Sequence, residues 1–213
     1  MPSRAKALKT APDSLERLLC LSGFFPVIGV DEAGRGPLVG PVVACALVLP
    51  DGLVIEGVND SKKVPALRRE KLTAEIKTAS LAYAFGIVNA AEIDRINILQ
   101  ATMQAMNHAV SEVLEACRAN PAIALVDGTT PPLCPCPVMC IAKGDSHSHL
   151  IAAASILAKV KRDTIMEDLH KQYPEYGFDQ HKGYGTAAHI AAIKQHGLCP
   201  EHRRSFCRKF VLF

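Results

Sequence analysis

Two adjacent carboxylates, Asp31 and Glu32, follow the apolar run VIGV, and a glycine-arginine-glycine turn follows them at once. Two more acids are spaced in the same way: Asp127 closes the run AIALVD, and Asp145 comes just after PVMCIAK. Taken singly, an Asp after a strand is ordinary turn chemistry, and Asp127-Gly128 and Gly144-Asp145 fit that reading. Three strand ends that each deliver a carboxylate can instead converge at one edge of an α/β sheet, the edge where ligands bind. Four carboxylates gathered there repel one another and lose solvation, so protons or cations must neutralise them. An all-oxygen set without His or Cys suits Mg²⁺ or Mn²⁺ in preference to zinc. Two such ions sharing carboxylates activate a water and stabilise the leaving oxygen of an in-line phosphoryl displacement. The implied chemistry is phosphodiester hydrolysis.

Substrate signals are weaker one by one. Gly34 and Gly36 leave the backbone open to close approach, and the Arg35 guanidinium can fork onto a phosphate. Basic residues recur at Lys62-Lys63, at Lys143 before Gly-Asp, at Lys159, Lys161 and Arg162, and in His181-Lys182-Gly183-Tyr184-Gly185. Such runs are usually solvated faces. Tyr184 differs, because flanking glycines leave its ring accessible for stacking on a sugar or base. The competing reading is a core tyrosine at a helix entrance. Tyr173 and Tyr176 are assigned to packing.

These residues need a scaffold. VIGV and VVACALVL (42–49) are continuous apolar β-type runs joined by a Gly/Pro turn; LAYAFGIV (81–88), AIALVD (122–127) and PVMCIAKGD (137–145) add three more strands. ALRREKLTAEIKTA carries a helical stripe of Leu67, Leu72 and Ile76. A second stripe runs from Leu99 through Met103, Met106, Val110, Val113 and Leu114 to Cys117, and Pro121 stops it. A long Ala-rich helix spans Ser148 to Tyr173, and TAAHIAAIKQHG has Thr186 as N-cap and Gly197 past its end. Strands alternating with helices predict an α/β fold, a mixed sheet with helices on its faces.

The chain has 213 residues, 49% hydrophobic and 21% charged, enough for one packed domain. Residues 1–22 are expected to form a short extension with a helical turn near Leu15–Leu19, and 23–213 a single catalytic domain. A formal charge of +3 says nothing decisive about nucleic acid. Cys134, Cys136, Cys140, Cys199, His202 and Cys207 invite the thought of zinc, but no C-x-x-C spacing occurs. The eight cysteines read as reduced thiols. No export signal and no run of about 20 apolar residues is present, so a cytoplasmic protein is expected.

The blocks GVDEAGRGPLVGPVV, NDSKK, IDRINILQATMQAM, LVDG, KGDS, AAASILAKVKRD, YGFDQHKGYGT and HRRSF resemble, in this order, type 2 ribonuclease H, the ribonuclease HII family. The resemblance covers about Ile28 to Phe206. It implies a ribonuclease H-like fold with a five-stranded mixed sheet flanked by helices. It further implies an endonuclease that cuts the RNA strand of RNA/DNA hybrids. Cleavage 5′ to single ribonucleotides embedded in duplex DNA, leaving a 3′-hydroxyl and a 5′-phosphate, is implied as well. Asp31, Glu32, Asp127 and Asp145 would be the catalytic metal ligands, for Mg²⁺ or Mn²⁺. Gly34, Arg35 and Gly36 would read the ribose 2′-hydroxyl, the group that separates RNA from DNA. Tyr184 would pack on the following deoxyribose, and Lys62, Lys63 and Lys143 would contact phosphates. The AAASILAKVKRD helix looks structural, with Lys161 and Arg162 able to face the duplex.

Departures are limited. Thr129 and Thr130 stand where the family commonly has Asn, before an unusual Pro/Cys-rich loop at 131–140. The long N-terminal domain of the type 3 relative is not seen, which favours type 2, and FCRKFVLF lacks a sliding-clamp motif, so no clamp tethering is expected; a monomer is expected as well. Another two-metal nuclease or transposase-like member of the fold is the alternative; it would not need a ribose gauge. A non-catalytic hybrid-binding module is the third reading.

Overall fold

The computed structural model describes residues 9–10, 14–59, 64–118 and 122–210. Lys62 and Lys63 lie outside them, as do the last three residues of FCRKFVLF. In chain order the elements are β1 (Lys9–Thr10), α1 (Leu15–Leu21), β2 (Val27–Ala33), β3 (Val42–Val48), β4 (Leu53–Val54), α2 (Ala66–Ala79) and β5 (Ala82–Val88). They continue with α3 (Ala90–Cys117), β6 (Ile123–Asp127), β7 (Val138–Ile141), α4 (His149–Gln172), α5 (Phe178–His181), α6 (Ala187–His196) and α7 (Arg204–Cys207).

The main sheet has the order β5-β3-β2-β6-β7, with β2 antiparallel to β3 and parallel to β6, so it is mixed as expected. The two central strands read as unbroken apolar runs because both of their faces are covered. Ile28, Val30, Ala44 and Ala46 pack beneath Ala105, Met106 and Val110 of α3. Cys45, Leu47 and Leu125 pack against Leu72 and Ile76 of α2 and Ile151, Ile156 and Leu157 of α4. The helices sit very close: a Cβ at Gly86 would strike the Ala105 carbonyl, and one at Gly29 would strike Leu150. A third cluster, around Met166, Tyr176, Phe178 and Ile193, anchors the C-terminal helices.

Several boundaries differ from the sequence expectation. In α2, Leu72 and Ile76 are fully buried but Leu67, in the first turn, is 77% exposed, so the stripe does not reach the helix start. Helix α3 begins at Ala90, well before the stripe's first residue Leu99, and breaks at Asn97 (φ 67°, ψ 163°). The Asn97 side chain accepts from the amides of Leu99 and Gln100 and so caps a second helical segment. The apolar periodicity begins where that second segment begins, and Leu99 in its first turn is 37% exposed.

Asp31 and Glu32 do not terminate a strand. Strand β2 continues through them to Ala33, because ladder bonds to β3 (Asp31 opposite Cys45, Glu32 opposite Ala44) depend on backbone and not on side-chain polarity. Asp145 is likewise not at a strand end: β7 stops at Ile141, and Asp145 sits in a 3₁₀ turn, Gly144–Ser146, leading to α4.

The N-terminal helix is fuller than a single turn and packs on the domain. Glu16 is buried, and its Oε1 accepts from Ser148 Oγ (2.7 Å) and from the Leu150 amide (3.4 Å) at the start of α4. A carboxylate there also meets the positive end of the helix. Among the described residues no helix is long and apolar enough to cross a membrane.

Candidate active site

Asp31, Glu32, Asp127 and Asp145 line one cavity of about 330 Å³ together with Gly34, Arg35, Gly36 and Tyr184. Parallel pairing of β2 and β6 brings the first and third of these together: Val30 lies opposite Val126, and each strand delivers an Asp at the next position. Asp127 is pulled toward the fourth by its Oδ1, which accepts from the Gly144 amide at 2.6 Å. Gly144 permits that approach, since a Cβ there would press on Ile151 and Ile141. Lys143, in the left-handed region at φ 56°, turns the chain into the 3₁₀ segment that carries Asp145.

The electrostatics are those of a crowded acidic site. Asp31 is 5% exposed. Burial, then the charges of Glu32 and Asp127, hold its carboxyl well above the usual range, against the hydrogen bonds from Ser155 and the Glu32 amide. Glu32 leans toward Arg35, whose guanidinium stands 3.7 Å from its Oε1.

The four carboxylates share a cavity without forming a ready coordination shell. Among the described residues no three Asp, Glu, His or Cys side chains are gathered into a set that could hold a metal ion. That applies equally to the Cys134/Cys136/Cys140 and Cys199/His202/Cys207 groups. Among the carboxylates, Asp127 Oδ1 accepts from the Gly144 amide and Glu32 Oε1 faces the Arg35 guanidinium. Their chemistry still fits a hard divalent cation: the donors are all oxygen, and the Asp31 charge is one that a nearby cation would stabilise.

The loops beside the carboxylates are differently made. Gly34 has φ +100°, and a Cβ there would run into the Arg162 side chain. Gly36 lies against Tyr184, which is 47% exposed. Tyr184 is thus an accessible ring and not a core residue, whereas Tyr176 is buried and stacked on Phe178. Lys143 is exposed and stands apart from the cavity lining. Lys159 lines the cavity and pairs with Asp163 at 2.6 Å.

Arg162 requires a correction. Expected to be able to face a duplex, it is 1% exposed and donates from all three nitrogens to the carbonyls of Pro41, Lys182 and Val39. Arg203, fully buried, donates in the same way to Gly40, Arg35 and Gly34. Sequence reasoning also missed a buried histidine chain. The Cys199 amide donates to His202 Nδ1 (3.0 Å), so the neutral ring carries its proton on Nε2 and donates to His189 Nε2 (3.1 Å). His189 then donates from Nδ1 to the Tyr184 carbonyl (2.9 Å). The prior signals were the position of these residues in HKGYGT…H and HRRSF and the nearness of Cys199 to His202, a pair that also invites the thought of zinc.

Comparison with known proteins agrees with this architecture. The Ribonuclease HII family profile matches residues 28–209. Ribonuclease HII of Delftia acidovorans is 53% identical over 203 residues, covering 94% of this chain and 85% of its own. That of Caldanaerobacter subterraneus subsp. tengcongensis is 51% identical over 196 residues, covering 92% and 80%. The crystal structure of ribonuclease H2 from Pyrococcus horikoshii superposes with a TM-score of 0.70 at 30% identity, over 86% of this chain and 96% of that one. A ribonuclease HIII solved with Mn²⁺ shares the fold at a TM-score of 0.68 and 19% identity, over 84% of this chain and 64% of that one. The chain belongs to the ribonuclease HII family and is a ribonuclease H, an endonuclease of RNA/DNA hybrids.

Proposed function

We propose that the enzyme also cuts 5′ to single ribonucleotides embedded in duplex DNA, leaving a 3′-hydroxyl and a 5′-phosphate, and that it depends on Mg²⁺ or Mn²⁺. The observation that carries the reading is the shared cavity: four carboxylates and a Gly-bordered turn with an accessible tyrosine line the same space. Asp31, Glu32, Asp127 and Asp145 would hold the ions. Bound divalent cations supply an activated water and stabilise the departing 3′-oxygen. The backbone of Gly34, Arg35 and Gly36 tests the ribose 2′-hydroxyl at the scissile position, and the Tyr184 ring packs on the deoxyribose that follows. Lys62, Lys63 and Lys143 hold flanking phosphates, so binding weakens with salt. Residues 23–213 act as one catalytic domain, and the chain works as a cytoplasmic monomer.

The test is cleavage-site mapping on a duplex carrying one ribonucleotide, with and without divalent cation, beside an all-DNA duplex of the same sequence. The reading expects a single cut 5′ to the ribonucleotide, only with the cation. Equal cutting of the all-DNA duplex would instead indicate a general nuclease of this fold.

A further inference from the structure

We infer that Arg162 and Arg203 are positioning residues that aim the Gly34-Arg35-Gly36 backbone and fix its spacing to Tyr184, an inference that rests on the ribose-gauge reading above. Both side chains are buried, and among the described residues neither forms an ion pair. A buried charge of that kind is tolerated only when its donors are all satisfied. Here the acceptors are backbone carbonyls, and their distribution is informative. Arg203 takes Gly34 (2.7 Å), Arg35 (3.1 Å) and Gly40 (2.9 Å). Arg162 takes Val39 (3.2 Å), Pro41 (3.2 Å) and, across to the tyrosine loop, Lys182 (3.0 Å).

Peptide planarity turns this into a statement about the substrate side. In a trans peptide the N–H points opposite to its carbonyl. Holding the carbonyls of Gly34 and Arg35 against Arg203 therefore aims the amides of Arg35 and Gly36 away from it, and residues 34–36 line the cavity. The tyrosine loop is tied to the same frame by the Arg162 bond to Lys182 and by the Leu38 amide, which donates to Gly183 (2.8 Å). The Arg203 amide in turn donates to the Leu38 carbonyl (2.8 Å). Burial, and then the neighbouring Arg162, hold the Arg203 guanidinium down to about 9, so keeping the two cations side by side carries an electrostatic cost. Lysine keeps the charge but cannot fork onto three carbonyls.

The experiment compares R162K and R203K with wild type on a single-ribonucleotide duplex and on a long RNA/DNA hybrid, using the ratio of the two kcat/KM values from one preparation. That ratio does not depend on the fraction of folded enzyme, so simple destabilisation leaves it unmoved. Wild type must first cut at the lone ribonucleotide; if it does not, the gauge reading itself fails. The inference expects each variant to lose about tenfold or more on the lone ribonucleotide relative to the hybrid, the loss falling in kcat with KM within about threefold, as expected for misplacement of reacting groups. Should one variant not fold, the other carries the test, since they hold different carbonyls. An unchanged ratio in a wild-type-competent preparation overturns the inference and leaves the gauge reading standing.

Discussion

The carboxylates and the loops proposed to read the substrate line one cavity, yet they are stabilised on opposite terms. Asp31, Glu32, Asp127 and Asp145 are like charges brought together, with Asp31 buried and pushed toward its protonated form. The loops of residues 34–41 and 182–185 also have like charges beside them, Arg162 and Arg203, but there the conflict is met within the chain: loop carbonyls accept from both guanidiniums and from His189. In the proposed reading, one half of the site is completed by the cations it would bind, and the other is set by the chain's own hydrogen bonds. Geometry that must discriminate a hydroxyl benefits from rigidity. Geometry that must receive cations benefits from uncompensated charge.

The comparison can be broken most forcefully at the carboxylates. Asp127→Asn should lower the single-turnover cleavage rate by about 10²–10³-fold or more, with hybrid affinity largely kept; a variant within tenfold of wild type would remove Asp127 from the chemistry. Tyr184→Ala comes next, expected to cost about tenfold on a lone ribonucleotide and less on a long hybrid. Because the ring is half exposed, its unfolding free energy should change by under about 0.5 kcal/mol. Equal losses on both substrates would contradict its role.

Thermal unfolding sharpens the contrast further. Saturating Mg²⁺ or Mn²⁺ at about a hundred times its dissociation constant should raise the midpoint of wild type by about 5–10 °C. Asp31→Asn should start from a higher midpoint without cation and gain little on adding it. If the variant gains as much as wild type, the cation is bound elsewhere. Acid separates the halves with the smallest effect. Burial, then the nearby His189, push His202 down to about 4 from an ordinary value near 6.5, and burial lowers His189 too. The unfolded chain therefore binds more protons, so this contribution is intact above about pH 6.5 and is lost as pH falls toward about 4. For Asp31 the folded carboxyl is the one raised, so its penalty is relieved on acidification. His202→Asn should flatten the acid limb of the midpoint–pH curve, and Asp31→Asn should steepen it.

Much of this was legible in the residues. Unbroken apolar runs marked strands covered on both faces, and the start of the Ala-rich helix near Ser148, the cap Thr186 and the stop at Gly197 were placed correctly. The acidic constellation followed from three carboxylates after apolar runs, and Tyr184 stood out between glycines. What stayed hidden depends on distant partners. KVKRD looks like a solvated basic stretch, and it is the carbonyls of Val39 and Pro41, more than 120 residues away, and of Lys182 that hold Arg162 inward. The break at Asn97 had no Gly or Pro to announce it. Continuation of β2 through Asp31 is set by β3 alongside, not by its own composition.

Arg203 is the last site residue in chain order, yet it grips the turn that begins at Gly34. All four carboxylates precede Arg203 by more than fifty residues. The turn proposed to read the ribose is therefore held only once the C-terminal segment has docked, and its geometry depends on residues at the far end of the chain.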